Sequence, residues 1–163
     1  MILDSGTTVL ATVPYINRMP SMNIMSCSLD TFEALDGNHH QVFLTGGRKR
    51  EKNRSLVGFG ALESIRRFHG DICLMGTAGL KDITGLTSHS YQEIELKQAI
   101  CQQCDQVIVL ADPAKFRESG LHQWADWADV DLLVTGPGVS PAALSDLEEQ
   151  VRIIQCAEDL DEQ

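Results

Sequence analysis

"QVIVLA", residues 106–111, is an unbroken aliphatic run after one glutamine, with no polar alternation. A strand with one face in water alternates apolar and polar residues, whereas a strand covered on both faces does not. The run therefore predicts a strand deep in a parallel sheet. Six further runs have the same character: "MIL" (1–3), "NIMSC" (23–27), "QVFLT" (41–45), "DICLMG" (71–76), "DLLVTG" (131–136) and "RIIQC" (152–156). Helical patterns separate them. "TFEAL" (31–35) has Ser28 or Asp30 as its cap. "GFGALESIRRF" (58–68) places Leu62, Ile65 and Phe68 at helical spacing. "SYQEIELKQAICQQC" (90–104) sets Ile94, Leu96, Ile100 and Cys104 largely on one side, with Ser90 and Glu93 spaced for a capping box. "SPAALSDLEEQV" (140–151) opens on Ser-Pro, a helix start signal. This alternation predicts an α/β fold: a mainly parallel sheet with helices on both faces.

The chain has 163 residues, enough for one domain with a full core, and carries no internal repeat or evident linker. No apolar run reaches membrane-spanning length, and no charged-then-apolar leader opens the sequence. A net charge of -10 argues against direct contact with a phosphodiester backbone. Five scattered cysteines, Cys27, Cys73, Cys101, Cys104 and Cys156, suggest a reducing, cytoplasmic setting.

In an open parallel sheet, ligands bind beyond the carboxyl ends of the strands. The first predicted strand is followed by Asp4, Ser5, Gly6, Thr7 and Thr8, and the second by Ser26 and Ser28. Gly46 and Gly47 follow the third, with a basic cluster after them. Gly76, Thr77, Ala78 and Gly79 follow the fourth, Asp112 and Lys115 the fifth, and Thr135 and Gly136 the sixth. One rim thus collects glycines, hydroxyls and a lysine. Gly6 permits a tight turn, and amides at a helix start with threonine hydroxyls suit an anion such as phosphate. The plainer alternative is that Ser5, Thr7 and Thr8 only cap the helix.

Read in order, "LDSGTT" (3–8), "SCSL" (26–29), "LTGG" (44–47), "SLVG" (55–58), "LMGTAGL...GLT" (74–87), "QEIELKQAI" (92–100) and "VIVLADPAKF" (107–116) carry a family resemblance. From about residue 2 to about 147 the chain resembles the C-terminal effector-binding domain of DeoR-family bacterial transcriptional regulators. The resemblance implies a fold like that of ribose-5-phosphate isomerase and the CoA-transferases. It also implies sensing of a phosphorylated sugar or related anionic metabolite, with no cofactor, metal or catalytic residue. By the same resemblance, Ser5, Gly6, Thr7 and Thr8 hold the phosphate with Ser26 and Ser28 nearby, and Glu93, Lys97, Asp112 and Lys115 line or support the pocket. Lys115 would neutralise phosphate, and Asp112 or Glu93 would accept sugar hydroxyls. Together with Asp4, Gly46, Gly47, Gly76 and Gly79, these residues form the candidate site. The chain departs from the family pattern at Ser26-Cys27-Ser28, at Ala78 in place of an acidic residue, at Pro113-Ala114 before Lys115, and at Gly136. Family members carry an N-terminal helix-turn-helix, so DNA contact is expected only through a domain absent from this chain. A homo-oligomer is expected.

Other features read more plainly. Cys101 and Cys104 form a C-x-x-C without a second ligand pair, which suggests packing or surface cysteines. His39 and His40 read as a solvated polar turn. Five of the 13 basic residues, Arg48, Lys49, Arg50, Lys52 and Arg54, fall in seven positions. The cluster reads first as a solvated loop, with a lid over the ligand or a subunit contact as alternatives. Trp124 and Trp127 read as packing or interface residues. Two rival functions stay open: a phosphosugar isomerase-like enzyme, which Ala78 weakens by removing an acid, and a degenerate oligomerisation domain without ligand.

Overall fold

A computed structural model describes residues 1–81 and 85–157. In chain order the elements are β1 (Ile2–Leu3), α1 (Thr7–Leu10), α2 (Val13–Ile16), β2 (Asn23–Ser26), α3 (Leu29–Ala34), β3 (Gln41–Leu44), β4 (Arg48–Lys49), β5 (Leu56–Val57) and α4 (Phe59–Arg66). Then come β6 (Gly70–Gly76), β7 (Leu86–Ser88), α5 (Tyr91–Gln102), β8 (Cys104–Ala111), a 3₁₀ turn (Pro113–Arg117) and β9 (His122–Ala125). A second 3₁₀ turn (Trp127–Asp129), β10 (Leu132–Thr135), α6 (Pro141–Glu148) and β11 (Ile153–Gln155) complete the order.

All seven predicted strands join one parallel sheet, in the order β11-β10-β8-β6-β1-β2-β3. The inner strands are apolar because their residues feed two cores in alternation, whereas the edge strands β3 and β11 leave Phe43 and Ile154 exposed. Ile2, Met25, Cys73, Met75, Val107 and Val109 face α4 and α5, packing with Leu62, Ile65, Leu96 and Ile100. Their neighbours Leu3, Ile24, Leu74 and Leu110 turn the other way, onto Val9, Val13 and Ile16 of α1 and α2. A strand obliged to fill both faces has no position left for a polar side chain. Each fully buried Leu or Ile contributes about 1.5–3 kcal/mol.

Helix starts follow their capping residues. The Ser28 side chain accepts from Thr31 N at 3.2 Å, and Ser140 accepts from Ala143 N at 3.3 Å. The predicted Ser90/Glu93 capping box is corrected: Ser90 makes no side-chain cap hydrogen bond, and the Glu93 carboxylate turns elsewhere. The solvated-turn reading of the histidines is half corrected. His39 is exposed, but His40 is buried, its Nε2–H donating to the Ile16 carbonyl at 3.1 Å. Trp124 and Trp127 are buried in the core. Cys101 and Cys104 pack against it beside buried Cys73. Hydrogen bonding to its two neighbours pushes the Cys73 thiol up, while the same contact lowers that of Cys104.

Two small antiparallel ribbons, β4-β5 and β7-β9, lie outside the main sheet. The basic cluster is the first of these: Arg48 and Lys49 pair with Val57 and Leu56. Among the described residues no helix is long and apolar enough to cross a membrane. The middle of the "LMGTAGL...GLT" motif, residues 82–84, lies outside the described residues.

Candidate functional site

β1 ends beneath the sheet's carboxyl rim, and its next residue anchors everything around it. Asp4 is 2% exposed. Its Oδ2 accepts from the Lys97 ammonium and from Gly76 N at 3.0 Å, and its Oδ1 lies 3.9 Å from Cys27 Sγ. Lys97 also donates to the Gly76 carbonyl at 2.9 Å and lies 5.1 Å from the centre of the Trp124 ring. One buried ion pair therefore ties β1, β6 and α5 together. Burial alone would drive Lys97 toward its neutral form, but the Asp4 carboxylate outweighs burial and holds the ammonium above the usual lysine range. Burial, with the Asp4 charge, pushes the Cys27 thiol up and keeps it protonated.

Beyond Asp4 the chain turns through Gly6, at φ 130 and ψ 156, a backbone shape that favours glycine. Gly6 is the N-cap of α1, and no side chain caps that helix. Among the described residues the hydroxyls of Thr7 and Thr8 make no hydrogen bond, and both residues line a cleft of about 370 Å³. The plain capping alternative fails for this loop.

Of the candidate residues, Ser5, Gly6, Thr7, Thr8, Gly76, Glu93, Lys97 and Lys115 line this cleft together. Lys115 pairs with Glu118 at 2.6 Å. The others stand behind or beside it. Ser26 and Ser28 are buried, the Ser26 hydroxyl donating to the Leu3 carbonyl at 3.2 Å. Gly47 lies against β5 and α4, where a Cβ would come 2.6 Å from the Val57 carbonyl oxygen; Gly46 neighbours Gly60. Gly79 packs on the Glu118 peptide. Asp112 is exposed and caps the 3₁₀ turn, accepting from Ala114 N at 2.8 Å.

Sequence reasoning offered the opposite wall only as the lid alternative for the basic cluster and put none of its residues in the candidate site. The segment 50–53 between β4 and β5 puts Arg50, Lys52 and Asn53 into the cleft, so part of the basic cluster is a flap and not a solvated loop. Its stem is anchored by Arg50 N to Ser55 O at 2.8 Å and Leu29 N to Arg54 O at 3.1 Å. Arg54 has a positive φ of 48 and pairs with Asp30 and Glu33, each at 2.9 Å. Arg50 pairs with Glu93, whose oxygens also accept from Asn53 Nδ2 at 2.6 Å and Ser88 Oγ at 2.8 Å. The density of cations was the signal for Arg50 and Lys52; nothing in the sequence marked Asn53 or Ser88. Among the described residues, no group of three or more His, Cys, Asp or Glu side chains is placed to hold a metal ion.

The chain is 30% identical over 136 residues to the HTH-type transcriptional repressor GlcR of Bacillus subtilis, covering 83% of this chain and 52% of the relative. It is 31% identical over 140 residues to the transcriptional repressor AccR of Agrobacterium fabrum, covering 85% and 54% respectively. It is 23% identical over 157 residues to the glycerol-3-phosphate regulon repressor of Haemophilus influenzae, covering 96% and 61%. The chain spans somewhat more than half the length of these relatives. The family profile described as the DeoR C terminal sensor domain matches residues 1–137, and the chain belongs to that family.

Proposed function

We propose that this domain binds a phosphorylated sugar or polyol in the cleft, and that binding controls DNA contact by a helix-turn-helix domain outside this chain, in a cytoplasmic homo-oligomer. The observation that carries the reading is the meeting of unpaired Thr7 and Thr8 hydroxyls with Lys52 and Lys115 around one cleft of a strongly acidic chain. Hydroxyl donors and ammonium groups converging on a rim suit a phosphate ester. A relative named for a glycerol-3-phosphate regulon supports the same ligand class. An effector that favours one arrangement of the oligomer would shift DNA affinity by its differential binding. An isomerase-like role fits less well, because Glu93, the acid such chemistry would use as a base, is held by Arg50, Asn53 and Ser88.

A panel of phosphate esters in thermal denaturation tests the reading, since a ligand of the native state raises its midpoint. Esters of the right class raise it and the unphosphorylated parent sugars do not; no shift with any anion rejects the reading. Lys115→Ala is expected to weaken the bound ester at least tenfold, about 1.4 kcal/mol, in calorimetry. Unchanged affinity removes Lys115 from the site.

A further inference from the structure

The flap and α5 are joined by a contact that a ligand would have to break. Arg50 and Glu93 are only 16% and 12% exposed at their side chains, and their ion pair closes segment 50–53 over the cleft. The Glu93 carboxylate accepts three donors: Arg50 and Asn53 on Oε1, Ser88 on Oε2. Asn53 carries the link on to the loop after β1, donating to Ser5 Oγ at 3.4 Å. While Arg50 stays on Glu93 its charge is already matched by the carboxylate, so a phosphate there gains little net attraction and meets the Glu93 anion.

Resting on the ligand class proposed above, we infer that Glu93 is the resident anion of the cleft, a latch that sets ligand specificity by competing for Arg50. An oxyanion that takes Arg50 leaves a largely buried carboxylate with only neutral donors, which is unfavourable. Inorganic phosphate offers Glu93 little in return. A phosphate ester bearing neighbouring hydroxyls takes Arg50 with its phosphate and returns O–H donors to Glu93. The exchange therefore selects hydroxylated phosphate esters over bare phosphate. Among the described residues Lys52 has no carboxylate partner and stays available to either, whereas Lys115 is shared with Glu118.

Glu93→Gln tests this, because the amide keeps the shape but needs no counter-charge. Calorimetry compares inorganic phosphate with ribose 5-phosphate and glycerol 3-phosphate, and limited trypsinolysis reads the flap through its basic residues. In the wild type at least one ester binds tighter than inorganic phosphate by about tenfold or more. In Glu93→Gln, inorganic phosphate gains about tenfold, the ratio falls toward one, and cleavage between residues 48 and 54 speeds up. Arg50→Gln opens the flap equally but gains no phosphate affinity, because the cation itself is gone. An unchanged ratio, an unchanged cleavage rate in Glu93→Gln, or a gain of phosphate affinity in Arg50→Gln overturns the latch. If the wild type binds no ester, the effector reading fails while the trypsin comparison still decides the latch. Thermal unfolding of each variant confirms that cleavage reports the flap and not global opening.

Discussion

Lys97→Met is expected to cost the fold about 3–5 kcal/mol, because it strands a buried charge. Asp4 would keep the Gly76 amide and a weak thiol contact but lose its only ammonium partner. Domains of this kind have roughly 5–15 kcal/mol in total, so the loss is a large part of the whole. The methionine fills most of the lysine's volume, which separates the charge effect from a cavity. Urea unfolding at neutral pH reads the change as a shift in midpoint. Adding Asp4→Asn to Lys97→Met should restore part of the stability, because the stranded anion is then removed as well. A loss below about 1 kcal/mol in the single variant, the range of an exposed pair, contradicts this account. The pH dependence has a definite sign. The Lys97 pKa is raised above its ordinary 10.5 in the folded protein, so its stabilisation is complete below that value and is lost as pH climbs through the folded pKa. As pH climbs into strong alkali, wild type and Lys97→Met should therefore converge.

Gly79→Ala is expected to destabilise the fold by about 1–3 kcal/mol, in the range for overpacking a well-filled site. It should also weaken ester binding, although Gly79 does not line the cleft. A Cβ there would fall 2.0 Å from the Glu118 carbonyl oxygen and 2.7 Å from Ser119 N, so backbone must move. The same strip of chain is held by Leu80 N to Lys115 O at 2.7 Å and Lys81 N to Glu118 O at 2.9 Å. A methyl group pushes these segments apart and carries Lys115 away from Thr7 and Thr8. Gly6 provides the contrast, since a Cβ there meets nothing within 4 Å and only the positive φ is strained. A Gly79→Ala protein with wild-type midpoint and affinity would show that the loop yields at no cost.

The inner strands were legible because each fills two cores, which leaves a compositional mark on a handful of consecutive residues; the edge strands β3 and β11 carry the same apolar runs with Phe43 and Ile154 exposed. Helices α4 and α5 were legible from their apolar spacing and those after β2 and β10 from Ser28 and Ser140-Pro141, whereas α2 went unread. What stayed hidden depends on partners far along the chain. The Ser90/Glu93 spacing read as a local cap, yet Glu93 is drawn to Arg50, 43 residues away, by a charge-assisted bond stronger than a neutral cap. His40 read as part of a wet turn because its acceptor, the Ile16 carbonyl, belongs to α2. The cluster 48–54 looked like surface because cations usually are, and only pairing of Arg48 with Val57 bends it over the rim. Most of the β1 loop was readable from Gly6 and its hydroxyl neighbours; the wall facing it was not.

The acidic body and the cationic recess act on a ligand at different ranges. A polyanion approaching a chain of charge -10 meets a net repulsive field within about a Debye length of the surface, and attraction only once it reaches the cleft lined by Lys52 and Lys115. Added salt should therefore quicken capture while shortening residence. The two rate constants, followed separately by stopped flow, would move in the same direction, and equilibrium affinity alone would understate how strongly ionic strength governs the encounter.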